Sequence, residues 1–166
     1  MTLRPQLQAI LGDLVTHPKV QETRHHLHHN VPKHDHLMRS ARWSYRIAGL
    51  LKADRRVCAR AAILHDLDSR NGDWATHGWI AANVAADIGE STLVCRAIVP
   101  HMFPLGPAPK SREGWVLVIA DKLASLADMG DFVAGLLSGR SLRRRNKLRE
   151  SDPYYRVNRR RRPAVA

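Results

Sequence analysis

Apolar side chains recur at intervals of three and four along most of the chain, the spacing of helices that turn one face toward a core. Leu3, Leu7, Ile10, Leu11, Leu14 and Val15 place an amphipathic helix over residues 3 to 16. Leu37, Ala41, Ser44, Tyr45, Ala48 and Leu51 form the stripe of another, ending near Ala53. Asp54 then stands where an N-cap is needed for a helix carrying Val57, Cys58, Ala61 and Leu64. After the polar break DSRNGD, Asp73 is positioned to cap a helix over residues 74 to 88, and Ser91 one reaching His101. Pro104, Pro107 and Pro109 force an irregular loop. Ser111 opens a helix through Trp115, Val118, Ile119 and Leu123, and a short last helix covers Asp131 to Ser138 before Gly139. No segment sustains the alternation of a strand, and no internal repeat is present. The expected fold class is therefore all-α.

Length and charge refine this picture. A chain of 166 residues suits a single domain, and folds of this size bury roughly 70% of the surface of the extended chain. No apolar run approaches the ~18 to 20 residues that cross a bilayer, and the N-terminus lacks the pattern of a secretory signal, so no membrane association and a cytoplasmic location are expected. Cys58 and Cys95 sit inside apolar helical patterns and read as small core residues. The net charge of +12 is unevenly spread: residues 140–166 hold eleven Lys and Arg against two acids, a net +9, which leaves +3 for residues 1–139. The boundary near residue 139 separates a nearly neutral domain from a basic, flexible tail. Such a tail can contact nucleic acid by counterion release, although charge runs often serve only solvation, and no base-reading motif accompanies this one.

Chemistry enters with ten histidines, several of them beside carboxylates at the ends of elements. His65 and Asp66 directly follow the apolar run AAIL, so a core helix ends by presenting an imidazole and a carboxylate together. Asp121 is the one acid in the apolar stretch WVLVIADKLASL. A carboxylate facing a core must be paired, protonated or bound to a metal, and a buried salt bridge to an arginine competes with the metal reading.

His36 in KHDHLMRSARWSYRIA, the doublet in ILHDL and Asp121 in IADKLAS occur in an order that resembles the HD-domain superfamily of metal-dependent phosphohydrolases. The likeness is greatest to a subgroup of small single-domain bacterial members and covers about residues 17 to 127. The resemblance implies a single compact fold of about six to eight helices with His36, His65, Asp66 and Asp121 as metal ligands. His77 in THGWIAANVA and His101 in PHMFPLGP match further histidines of that subgroup and imply a second ion, with Asp66 as the bridge. Mixed imidazole and carboxylate donors suit Fe, Mn, Zn, Co or Mg as a divalent cofactor, one or two ions per chain. His34 is a competing first ligand; His36 is preferred because an Asp-His pair precedes the helix in the relatives.

Among the remaining residues, His29 is the member of the cluster His25, His26, His28 and His29 expected near the pocket, while His17 reads as a helix boundary. Asp66, Asp73, His77 and His101 are the candidates for handling water and phosphate, though Asp73 is equally placed to cap a helix. Asp68 reads as loop solvation, and Lys122 points about 100° away from Asp121 around a helix. Trp74, Trp79, Phe103 and Trp115 can wall a nucleobase or simply pack. The expected activity is hydrolysis of a phosphate ester or anhydride in a nucleotide or other small phosphorylated metabolite. The competing class is a non-enzymatic regulatory or nucleic-acid-binding module that uses the tail. Nothing in the pattern specifies an oligomeric state.

Overall fold

The computed structural model describes residues 4–28, 31–140, 143, 146 and 147. Seven α-helices account for most of the described chain: α1 (Pro5–Val15), α2 (Pro18–Glu22), α3 (Lys33–Leu50), α4 (Arg55–Leu64), α5 (His77–Asp87), α6 (Thr92–Ile98) and α7 (Arg112–Leu137). The extended backbone among the described residues is a two-residue hairpin, β1 (Leu27–His28) against β2 (Val31–Pro32). The all-α expectation holds. The basic segment expected after residue 139 lies almost wholly outside the described residues.

Five of the seven helix starts have a local cause in a proline or a capping side chain. Pro5 and Pro18 open α1 and α2, where a missing N–H leaves no intrahelical bond unmade. His17 caps α2 by accepting from the Lys19 N–H. The Asp54 carboxylate accepts from Arg56 and Val57 at the head of α4 at 2.7 and 3.1 Å, and Ser91 and Ser111 cap α6 and α7. Two expectations are corrected. The helix predicted from residue 74 starts at His77, because Asp73 first closes a turn by accepting from the N–H groups of Ala75 and Thr76. The two helices expected at Ser111 to Leu123 and Asp131 to Ser138 are one, α7, since no proline or capping residue interrupts it.

α4 is the central strut. Every residue from Val57 to Leu64 is buried, with α3, α1, α6 and α7 packed around it. Leu11, Leu14, Leu37, Ile63, Leu64, Ile98 and Leu117 form the heart of one continuous core. Cys58 is buried and Cys95 half-buried, both as free thiols. Arg60 is the exception on α4, and its charge is fully matched. Its guanidinium donates to the Asp13 carboxylate at 2.7 and 2.8 Å, to the Ile10 carbonyl at 2.8 Å and to Glu90 at 3.0 Å. One side chain thus ties α1 and the turn after α5 to the strut.

Removing one member of a buried pair strands its partner's charge, at about 3 to 5 kcal/mol. Arg60→Ala is therefore expected to lower the free energy of unfolding by about 3 kcal/mol, read as a shift of the urea midpoint. An unshifted midpoint would show that this network contributes little.

Candidate metal centre

The side chains that converge in the interior come from five helices or their ends. His36 lies one turn into α3, His65 and Asp66 follow the last residue of α4, His77 opens α5, His101 follows α6, and Asp121 is on α7. All six are buried. They fall into two groups, His36 with His65 and Asp121, and Asp66 with His77 and His101; within each, one donor atom per residue lies within 4.8 Å of the others. The two groups adjoin, for the rings of His65 and His101 meet edge to face at 4.9 Å. The doublet is split between them: His65 faces the first group and Asp66 the second. The chain can do this because it leaves the helix here, Asp68 adopting a left-handed conformation (φ 52°) two residues on.

In the first group His36 Nε2 lies 3.2 Å from Asp121 Oδ1 and 3.4 Å from His65 Nε2. In the second, His77 Nε2 and His101 Nε2 are 2.9 Å apart, with Asp66 Oδ1 at 3.9 Å from His77. The opposite nitrogen of each ring is already committed. Nδ1 of His65 donates to the Ala62 carbonyl at 2.8 Å, that of His77 to the Asp73 carbonyl at 3.0 Å, and that of His101 to the Ile98 carbonyl at 2.8 Å. Nδ1 of His36 donates to the Asp128 carboxylate at 2.6 Å. With Nδ1 as the donor, a neutral ring turns a bare lone pair inward at Nε2. Two such lone pairs 2.9 Å apart, as in His77 and His101, repel unless a positive charge lies between them. A divalent cation supplies it, and the surrounding carboxylates complete a donor set of nitrogen and oxygen with no sulfur. The residues fit a metal.

The electrostatics agree. Burial disfavours a charge on His36, but hydrogen bonds to Asp121 and Asp128 outweigh it and raise the ring to about 9. Without an ion, His36 is thus an imidazolium held between two carboxylates. Burial, reinforced by His65, pushes His101 down to about 3, so that ring keeps its lone pair. Asp66 and Asp121 stay ionised despite burial; Lys33 and then His28 hold Asp66 well below the usual carboxylate range, and His36 and His65 do so for Asp121.

Other residues fall outside the cluster. His34, 200° around α3 from His36, is buried away from both groups, with Asp35 at 3.9 Å. Asp73 is exposed; its carboxylate caps the turn before α5 while its carbonyl orients His77. Asp68 pairs with Lys19 at 2.6 Å. Lys122 folds back onto Asp121 Oδ2 at 3.0 Å and the His101 carbonyl at 3.2 Å, and no arginine meets Asp121 among its recorded ion pairs. Trp74 and Trp79 are exposed, and Phe103 packs edge-on to Trp115. His29 lies outside the described residues.

Four residues that pattern reading passed over support the site. His28, on β1, stacks on His36 with centroids 4.3 Å apart and brings Nδ1 to 3.2 Å from Asp66 Oδ2. Lys33, only 4% exposed, brings its ammonium to 3.1 Å from the same oxygen and donates to the Asp66 carbonyl and Ser69 Oγ. Asp128 is anchored by Arg39 at 2.6 Å. Its signal was present in the chain: Ala127-Asp128 repeats Ala120-Asp121 seven residues later, two turns along the same helical face. Gly78 has a steric role, since a Cβ there would collide with the Val99 carbonyl oxygen. Its absence lets α5 close on the end of α6 and brings His77 to His101.

Comparison with known proteins places this geometry. The HD domain model matches residues 34–126, more than half of the chain. A ribonuclease Y from Cutibacterium acnes is 32% identical over 94 residues, which is 55% of this chain and 17% of that protein. No solved structure matches significantly.

Two outcomes follow for metal titrations followed by calorimetry. Because an ion at His36 must displace a proton, binding is expected to release protons, with affinity rising toward pH 9 by about tenfold per unit for each proton released; pH-independent affinity would remove His36 as a ligand. Asp128→Asn, which keeps shape but removes the charge behind His36, is expected to weaken binding about 10- to 100-fold and, because it strands the charges of buried His36 and of Arg39, to lower the melting temperature of the metal-free protein as well.

Proposed function

We propose that this chain, which belongs to the HD-domain family, is a metal-dependent phosphohydrolase that cleaves a phosphate ester or anhydride in a nucleotide or other small phosphorylated metabolite. The observation that carries the proposal is the inward convergence of four imidazole nitrogens, each ring locked from behind, among the ionised carboxylates of Asp66 and Asp121. A structural site would be closed by its protein ligands; three donors per group leave coordination positions for water and substrate.

His36, His65 and Asp121 would hold one ion, and Asp66, His77 and His101 a second. A bound divalent ion supplies a Lewis acid for phosphoryl oxygens and a water acidified toward neutral pH. The chain's own residues do the positioning. Lys33 and His28 clamp one oxygen of Asp66, which leaves the other directed at the His77 side. Asp128 keeps His36 aligned, and the carbonyls of Ala62, Asp73 and Ile98 fix the tautomers of the other three rings. Lys122 is half-exposed beside Asp121 and would offer a positive charge to a phosphoryl oxygen. Asp66, His77 and His101 are the groups we assign to binding and orienting the reacting water and phosphate; Asp73 acts through its hold on His77.

Ribonuclease Y, by its name, acts on RNA, and the eleven basic residues after position 139 would suit a polyanion, so an RNA phosphodiester is the second substrate class.

Protein loaded with Mn, Fe, Co, Mg or Zn and offered p-nitrophenyl phosphate, a nucleotide panel and a short RNA is expected to hydrolyse at least one of them. Asp66→Ala should lose both bound metal and turnover. Turnover unchanged in that variant would remove the cluster from the chemistry, and metal binding without hydrolysis of any phosphate would favour a regulatory module.

A further inference from the structure

The aromatic side chains stand in two different relations to the metal centre. Trp74 precedes α5 and is 68% exposed, and Trp79 lies about 200° around that helix from His77, turned away from the cluster. Phe103 and Trp115 instead stand on its rim. Phe103 follows His101 by two residues, and its ring meets that of Trp115 edge to face with centroids 5.3 Å apart. Trp115 shares a face of α7 with Lys122, two turns earlier and about 10 Å along the axis. The Lys122 ammonium in turn lies 3.0 Å from Asp121 Oδ2 and 3.2 Å from the His101 carbonyl oxygen. The pair is also firmly mounted. The Phe103 N–H donates to the Pro100 carbonyl and the Leu105 N–H to that of Met102, each at 2.9 Å. A Cβ on Gly114 would come to 3.2 Å from Pro109 and 3.3 Å from Pro100, so the loop is pressed against the first turn of α7 beside Trp115. Yet Trp115 stays 42% exposed and Phe103 half-buried. Rings held from behind and open in front have little freedom to lose when a flat ligand stacks on them.

We propose that Phe103 and Trp115 are the base-binding wall of the candidate site, and that its substrate is a nucleoside phosphate. The base stacks on the open side of the aromatic pair while the phosphate meets Lys122 at the mouth of the metal centre. The phosphate end of this inference rests on the phosphohydrolase reading; the base end rests on the aromatic pair alone. Three observations select this occupant. The wall is aromatic, which favours a flat π system over an aliphatic chain. A cation stands at one end of it, next to metal-ligating groups, and an apolar ligand would leave that charge unmet. Ile119, 40% exposed, lies between Trp115 and Lys122 on the same face, and the two turns it spans leave room for a sugar. One aromatic pair beside one ammonium thus provides for one base and its phosphate.

The test compares adenosine monophosphate with ribose phosphate, which carries the same phosphate and sugar without the base. Calorimetric binding is measured on the full chain kept metal-free with a chelator, so that nothing is turned over. The nucleotide is expected to bind about 10- to 100-fold more tightly, the range of base stacking on an aromatic side chain. Trp115→Ala should cut that ratio at least about fivefold, Trp115→Tyr should keep most of it, and Trp74→Ala should leave it unchanged. Because the ratio is taken within one preparation, it does not depend on how much of a variant is folded. Metal-loaded protein should show the same preference in kcat/KM, carried by KM. Equal affinity for the two compounds, undetectable binding of the nucleotide, a ratio unmoved by Trp115→Ala, or one lost in Trp74→Ala overturns the wall. The two readings fail separately: a nucleotide preferred in binding but no phosphate hydrolysed removes the phosphohydrolase and keeps the wall, while hydrolysis with no preference for a base removes the wall and keeps the phosphohydrolase.

Discussion

The structure depends on placing four imidazoles and two ionised carboxylates of the two groups in one dry interior without leaving a charge uncompensated. An isolated ion in that setting costs more than the whole margin of stability of a domain this size. Compensation comes in layers. Asp121 faces His36 and His65; His36 is backed by Asp128, and Asp128 by Arg39. Asp66 is met by Lys33 and His28. The charges alternate in sign from the centre outward; Arg39 on α3 and His28 on the hairpin are partly exposed, whereas Lys33 stays buried. The pair of inward nitrogens on His77 and His101 stands apart: both Nδ1 protons are turned to backbone carbonyls, so two lone pairs face one another at 2.9 Å. Facing lone pairs beside ionised carboxylates suit a cation.

The helices serve that arrangement. α4 is buried along its length so that its end, rather than its side, delivers the doublet to the centre. Four other segments need only pass that point once to contribute. Nearly every ligand sits at or just beyond a helix end, where backbone carbonyls without intrahelical partners are available to orient the rings. Ala62 and Ile98 serve His65 and His101 in this way, each from three residues back.

Helix order and core faces were legible because they rest on local periodicity and capping, which neighbouring residues encode. The failures were also local in kind. Two helices were read where α7 is one; Asp128 and Asp131 are both engaged by Arg39, and the helix runs through. Asp73 looked available for chemistry because an acid shortly after the doublet reads the same whether its oxygens or its carbonyl matter. Convergence itself was not in the pattern. That His28 reaches Asp66, or that Gly78 admits α5 to the end of α6, depends on distant segments crossing at particular angles, and only the resemblance to a family linked the six scattered residues beforehand.

The split of His65 from Asp66 carries a mechanical meaning. Each side chain serves a different group, so the two groups are joined through a single planar peptide unit whose Cα atoms are about 3.8 Å apart. Helices can slide and tilt by fractions of an ångström as temperature, sequence drift or bound substrate demands, and contacts that cross between them stretch accordingly. A covalent spacer does not. The doublet therefore ties the two halves together: their backbone attachments at residues 65 and 66 cannot drift apart, whatever the neighbouring helices do.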